Sequence, residues 1–183
     1  MKLSGSYQIN LEKQKVWDAL NDAEILRRSI PGCESFIKKS DTEFMATATN
    51  KIGPFNASFT GDIQLKAINA PNNYIIEGSG NSPVGFASGK AKVNLEEVKG
   101  GTKLSYEIEA NVGGKIAQIG SRLIDMTAKK MADIFFGKFS ELISKDESSS
   151  KEPLDISEKS SVDPIKDNNK SNQKILIYSA VVL

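Results

Sequence analysis

Apolar residues recur along this chain with two different periods, and the change of period divides it. From Gly113 to Ile143 the period is helical. Ile116, Gly120, Leu123, Thr127, Met131, Phe135, Phe139 and Leu142 fall on one face, and Ile119, Ile124, Ala128, Ala132 and Phe136 widen it. The other face carries Lys115, Gln118, Arg122, Asp125, Lys129, Lys130, Asp133 and Lys138. No proline interrupts the stretch. The pattern predicts one long amphipathic helix of roughly 45 Å, which has to lie against a large apolar surface.

The residues before it supply that surface with a period of two. Leu3, Gly5, Tyr7 and Ile9 alternate with polar neighbours, as in a half-buried strand. Two short helices follow. Asn10 is the expected cap of the first, which carries Val16, Trp17 and Leu20; Asp22 opens the second, and Ile30-Pro31-Gly32 ends it. Strands are then expected at Phe36–Lys39, Phe44–Thr49, Phe55–Ala67, Tyr74–Gly78, Ala87–Leu95 and Thr102–Val112, the last pair joined by a tight turn at Gly100-Gly101. About seven strands with clean alternation and short links argue for an antiparallel sheet solvated on one face, with the long helix covering the other. Gly61, Gly78 and Gly89 fall on the covered face, where they permit bending or close approach of the helix. Small inward residues under a curved sheet leave two outcomes open, an apolar ligand cavity or a solid core in which the helix sits deep.

Composition removes several function classes. The 183 residues contain no histidine, which takes away the commonest general base and metal ligand. The single cysteine, Cys33, has no partner for an internal disulfide and no histidine to activate it. A net charge of +1 gives no field for nucleic acid. The first ten residues lack the apolar run of a signal peptide, so a cytoplasmic domain is expected. Gly85–Ala91 is one residue short of a phosphate loop, lacks its Ser/Thr and lies within an alternating strand. Asp62, Glu77, Glu107 and Glu109 fall on the solvent-facing or mixed side, so no paired carboxylates are indicated, and nothing makes a case for catalysis.

After residue 144 the character shifts. Residues 145–174 are rich in Ser, Lys, Asp, Glu and Asn and read as a disordered polar linker. The chain closes on an apolar segment, 175–183, with Ile175, Leu176, Ile177, Tyr178, Val181, Val182 and Leu183. As a helix it spans roughly 14 Å, about half the hydrocarbon thickness of a bilayer. Lys166, Lys170 and Lys174 precede it, like the cytoplasmic flank of an anchor. The readings are a membrane anchor, which composition favours, or an end that docks on protein.

Several stretches, taken in order, resemble a known family: Ile30-Pro-Gly-Cys-Glu34, Lys51–Gly61, Gly85–Ala91, Gly101–Tyr106, Val112–Ile124 and Phe135-Phe136. The pattern over roughly residues 1–144 is similar to the CoxG (carbon monoxide dehydrogenase G-subunit) family of the START-like, Bet v 1-type (SRPBCC) superfamily. The resemblance implies an α+β helix-grip fold, a curved seven-stranded antiparallel sheet around a long C-terminal helix with two short helices. It also implies a non-catalytic accessory of a carbon monoxide dehydrogenase or related molybdenum hydroxylase, peripheral to or anchored at the cytoplasmic membrane. Members are associated with tethering that enzyme and holding a quinone of menaquinone or ubiquinone type.

On that reading the pocket candidates are Trp17, Ile30, Phe55, Phe59, Ile76, Tyr106, Ile116, Ile119, Gly120, Leu123 and Thr127, with Arg122 a candidate partner contact. Trp17, Tyr106 and Thr127 are the groups expected to orient a quinone carbonyl. Gly120 is expected on the apolar helix face, where sheet or ligand approaches the backbone. Each residue also has a plain structural role open to it. The competing functions are a pure recruitment module without ligand, a START-like lipid-binding protein, and, ranked last for want of inward acids or bases, a START-like enzyme.

Overall fold

The computed structural model describes residues 1–149. Strand β1 (Lys2–Ile9) leads into α1 (Lys13–Leu20) and α2 (Ala23–Ser29). Six strands follow: β2 (Cys33–Lys38), β3 (Glu43–Ile52), β4 (Phe55–Asn69), β5 (Asn73–Ser82), β6 (Gly85–Val98) and β7 (Gly101–Gly113). A single 3-10 turn, Lys115–Ile119, then precedes α3 (Ser121–Ser149). The strands form one antiparallel sheet in the order β1-β7-β6-β5-β4-β3-β2. This is the antiparallel sheet expected from the alternation, in the seven-stranded helix-grip arrangement that the resemblance implies.

Local chemistry explains most boundaries. The Asp22 carboxylate accepts from the backbone N–H groups of Glu24 and Ile25, each at 2.8 Å, and so fixes the start of α2. Asn10 does not cap α1. The helix starts two residues further on, with Glu12 at the cap position and no side-chain cap. The β6–β7 hairpin closes through Lys99-Gly100, with Val98 paired to Gly101.

The long helix begins later than its apolar period implies. β7 runs on to Gly113, and Gly114 and Gly120 adopt φ of 83° and 91°, values that no right-handed helix contains. The backbone N–H of Ile116 bonds the Val84 carbonyl at 2.9 Å, which holds the 3-10 turn on the β5–β6 link. Gly120 is therefore a hinge between two helical pieces rather than a contact on a helix face. α3 continues to Ser149, past the boundary drawn at residue 144 from composition. Residues 150–183, including most of the proposed linker and the whole apolar end, lie outside the described residues.

The core sits at one end of the groove. Ile9, Val16, Leu95, Leu104 and Phe139 are almost fully buried there, with Trp17 edge-on to Tyr74 at 5.2 Å between ring centroids. Two buried hydroxyls are satisfied by backbone: Thr102 donates to the Leu11 carbonyl and Ser29 to the Ile25 carbonyl, both at 2.7 Å.

Candidate functional site

The concave face of the sheet is stripped of side chains across its middle. Ala46 pairs with Gly61, Gly61 with Gly80, and Gly80 with Ala87; beside them Gly78 pairs with Gly89. The reason is partly curvature. A Cβ on Gly61 would stand 1.9 Å from the Ser79 carbonyl oxygen, and one on Gly89 2.9 Å from that of Glu109, so neighbouring strands close up where only glycine fits. Close approach of α3 is not the reason. The atoms nearest a Cβ at Gly78 or Gly80 belong to β4, and a Cβ on Gly120 would meet nothing within 4 Å.

α3 is anchored in the core from Ala132 onward. Phe136, Phe139 and Ile143 are buried, whereas no side chain between residues 121 and 135 is. Phe136 stacks on Tyr7 at 4.1 Å and on Tyr106 at 5.6 Å. The Tyr7 hydroxyl donates to the Asp133 carboxylate, a side-chain hydrogen bond that ties α3 to the sheet. Burial first, and then Asp133, push the Tyr7 phenol up from its ordinary value; burial does the same to Tyr106.

Between α3 and the concave face of the sheet, beside the bare patch rather than over it, lies a cavity of about 510 Å³, within the range of small-molecule sites. Its walls come from α2 and the following loop (Leu26, Ile30, Pro31), from the strands (Leu3, Phe44, Leu65, Ile76, Ala91, Ile108) and from α3 (Ala128, Met131, Ala132, Phe135). Side-chain polarity is confined to Asn50 and the hydroxyls of Tyr74 and Tyr106. Asn50 spends its amide on the Pro31 carbonyl at 3.0 Å. Burial pushes the Tyr74 phenol up, so it stays neutral. Such a wall is apolar and offers few hydrogen bonds. It presents no acid–base pair, and no cluster of metal-ligand side chains occurs among the described residues.

Of the pocket candidates, Ile30, Ile76 and Tyr106 stand in the cavity wall. Trp17 stands outside it, packed on the wall residue Tyr74. Ile116 is buried against the β5–β6 link; Ile119 and Leu123 reach within 3.4 Å of a Cβ position on Gly53. Phe55 and Phe59 lie half-buried on β4, Phe59 beside Gly80. The Thr127 hydroxyl donates to the Leu123 carbonyl at 2.8 Å, and Arg122 is exposed. Sequence reasoning missed Leu26, Pro31, Phe44 and Met131, which read there as ordinary core or loop. It also placed Asp125 on the solvent face, although its Oδ1 is buried with no hydrogen-bond partner. Asp125 precedes the roof residue Ala128 by one turn of α3.

Cys33 is half-buried, donates from Sγ to the Ser35 carbonyl at 3.3 Å, and has its thiol pushed up by burial, the opposite of an activated nucleophile. Among the described residues no helix is long and apolar enough to cross a membrane.

Comparison with known proteins agrees with this geometry. A conserved protein from Geobacillus kaustophilus is 28% identical and superposes with a TM-score of 0.76, over 80% of this chain and 97% of that one. Protein Ms6760 from Mycobacterium smegmatis (14% identity, TM-score 0.61, 79% of this chain and 92% of that one) and Ara h 8.0201 (15%, 0.57, 79% and 98%) share the fold. No protein of curated function matches the sequence. The family described as CoxG, the G-type subunit of carbon monoxide dehydrogenase, matches residues 5–144, and with the helix-grip fold in place the chain belongs to that family.

Proposed function

We propose that this protein is a non-catalytic accessory of a carbon monoxide dehydrogenase or related molybdenum hydroxylase, holding a quinone-like lipid and keeping the enzyme near the membrane. The observation that carries this reading is the cavity of about 510 Å³ with a nearly all-apolar wall. Burial of an isoprenoid quinone there is driven by apolar area removed from water, and the few hydroxyls suffice to orient a ring carbonyl. The hydroxyls of Tyr74 and Tyr106 are the candidate donors on that wall. The reduced head would carry electrons from the enzyme to the membrane pool. The apolar segment 175–183 supplies the tether in this scheme.

The test is native mass spectrometry and solvent extraction of the full chain purified from membranes, followed by titration of the stripped protein with menaquinone and ubiquinone. Recovery or stoichiometric uptake of a quinone is the expected result. A stripped protein that takes up neither reduces the reading to that of a recruitment module.

A further inference from the structure

The outer face of α3 is open to solvent. Met126 is 62% and Ile134 36% exposed, and Lys130, Gly137 and Glu141 are exposed beside them. Lys130, Ile134, Gly137 and Glu141 follow one another at spacings of four, three and four, so they form one line along the helix. Gly137 leaves a notch in that line: a Cβ there would meet nothing within 4 Å. Glycine weakens a helix interior, and no contact inside this protomer requires it at 137. The charges of α3 also run against its dipole. The first turn holds no acid and the last no base. Residues 121–130 carry Arg122, Lys129 and Lys130 against Asp125, whereas residues 131–149 carry Asp133, Glu141, Asp146 and Glu147 against Lys138 and Lys145. Peptide dipoles already make the N-terminal end of a helix positive and the C-terminal end negative. Each half of α3 therefore bears the sign of its own end, and the helix is complementary to a reversed copy of itself.

We infer that two copies of this protein pair through the outer faces of α3, antiparallel and related by a two-fold axis. Ile134 enters the notch at the partner's Gly137, and the same two-fold sets Lys130 opposite the partner's Glu141; symmetry makes each contact twice. A glycine at the crossing lets the two helix axes approach closely. Glu141 is bonded by Lys145, one turn on, at 2.6 Å, an exposed pair that the partner's Lys130 joins. Asp133 is turned to Tyr7, and the exposed Lys129 and Lys138 lie on the flanks of the line. Parallel pairing would instead set Lys130 against Lys130 and Glu141 against Glu141, so charge fixes the direction. The pairing does not rest on the cavity reading above.

The experiment measures self-association of the full chain by sedimentation velocity over a range of concentrations at low salt. The wild type is expected to dimerise. Lys130→Glu makes both cross-helix pairs acid against acid, and Glu141→Lys makes both base against base. Each alone raises the dimer dissociation constant about twenty-fold, at the usual strength of exposed charge pairs. Mixed in equal amounts, the two variants regain both attractions and form a heterodimer of wild-type strength. A chain carrying both substitutions dimerises as the wild type does. Thermal melts check the fold of each variant. A wild type that stays monomeric, a dimer indifferent to either substitution, or a mixture no tighter than its components overturns the inference, because an assembly held by any other surface does not follow these charges.

Discussion

Filling the chamber distinguishes an empty cavity from a solid core by the sign of one stability change. Ala91 lies on the concave face of β6, paired with Ile76 on one side and Ile108 on the other, and its methyl lines the cavity. Ala91→Leu adds three carbons. If they enter existing space, burial contributes about 0.8 kcal/mol each, roughly 2.4 kcal/mol, and the lost rotamer freedom of leucine takes back about 0.5–1 kcal/mol. The net expectation is about 1.5 kcal/mol of added stability in stripped protein, or roughly 4 °C in Tm for a domain of this size. In a core already at native density the same change costs about 1–3 kcal/mol. Urea unfolding of lipid-free wild type and variant reads the sign directly. Added quinone provides the second arm: at about a hundred-fold over Kd a ligand stabilises the wild type by about 2.7 kcal/mol, and it should leave Ala91→Leu unmoved. A variant that is less stable than wild type yet still stabilised by quinone would refute both the emptiness of the space and its role as the binding site.

Two glycines predict opposite outcomes. Gly61→Ala places its methyl 1.9 Å from the Ser79 carbonyl and forces the β4–β5 pairing apart, a loss of about 3 kcal/mol or more by thermal melts. Gly137→Ala on α3 meets nothing within 4 Å and should gain about 0.5–1 kcal/mol from helix propensity. Tyr7→Phe removes the bond to Asp133 and should cost about 1 kcal/mol at neutral pH. The Tyr7 pKa is raised in the fold, so its contribution is complete below the unfolded value near 10 and is lost as pH climbs toward the folded value. The gap between wild type and Tyr7→Phe should therefore hold up to about pH 9 and narrow above about pH 10 in urea titrations; a gap constant through that range would show that the phenol is not held neutral by the fold.

The covalent order of residues determined which atoms face inward. Strict alternation in β4, from Phe55 to Leu65, places Ala57, Ile63 and Leu65 on the concave side, and no pairing partner changes that, because a strand turns its side chains over at every residue. Asp22 likewise fixed the start of α2 through bonds only two and three residues long. What only the tertiary structure decided depends on distance. The apolar period ran unbroken through Gly120, yet the Ile116–Val84 bond and the positive φ at Gly114 and Gly120 delayed α3 to Ser121. Whether small inward residues surround a void or a deeply seated helix depended on where Phe136 and Phe139 anchor α3, and that is set by contacts such as Tyr7 with Asp133, 126 positions apart in the chain. A cavity is the gap left when curvature and anchoring fix two surfaces independently. No local pattern encodes that difference, and so the face of the site was legible in the sequence while its emptiness was not.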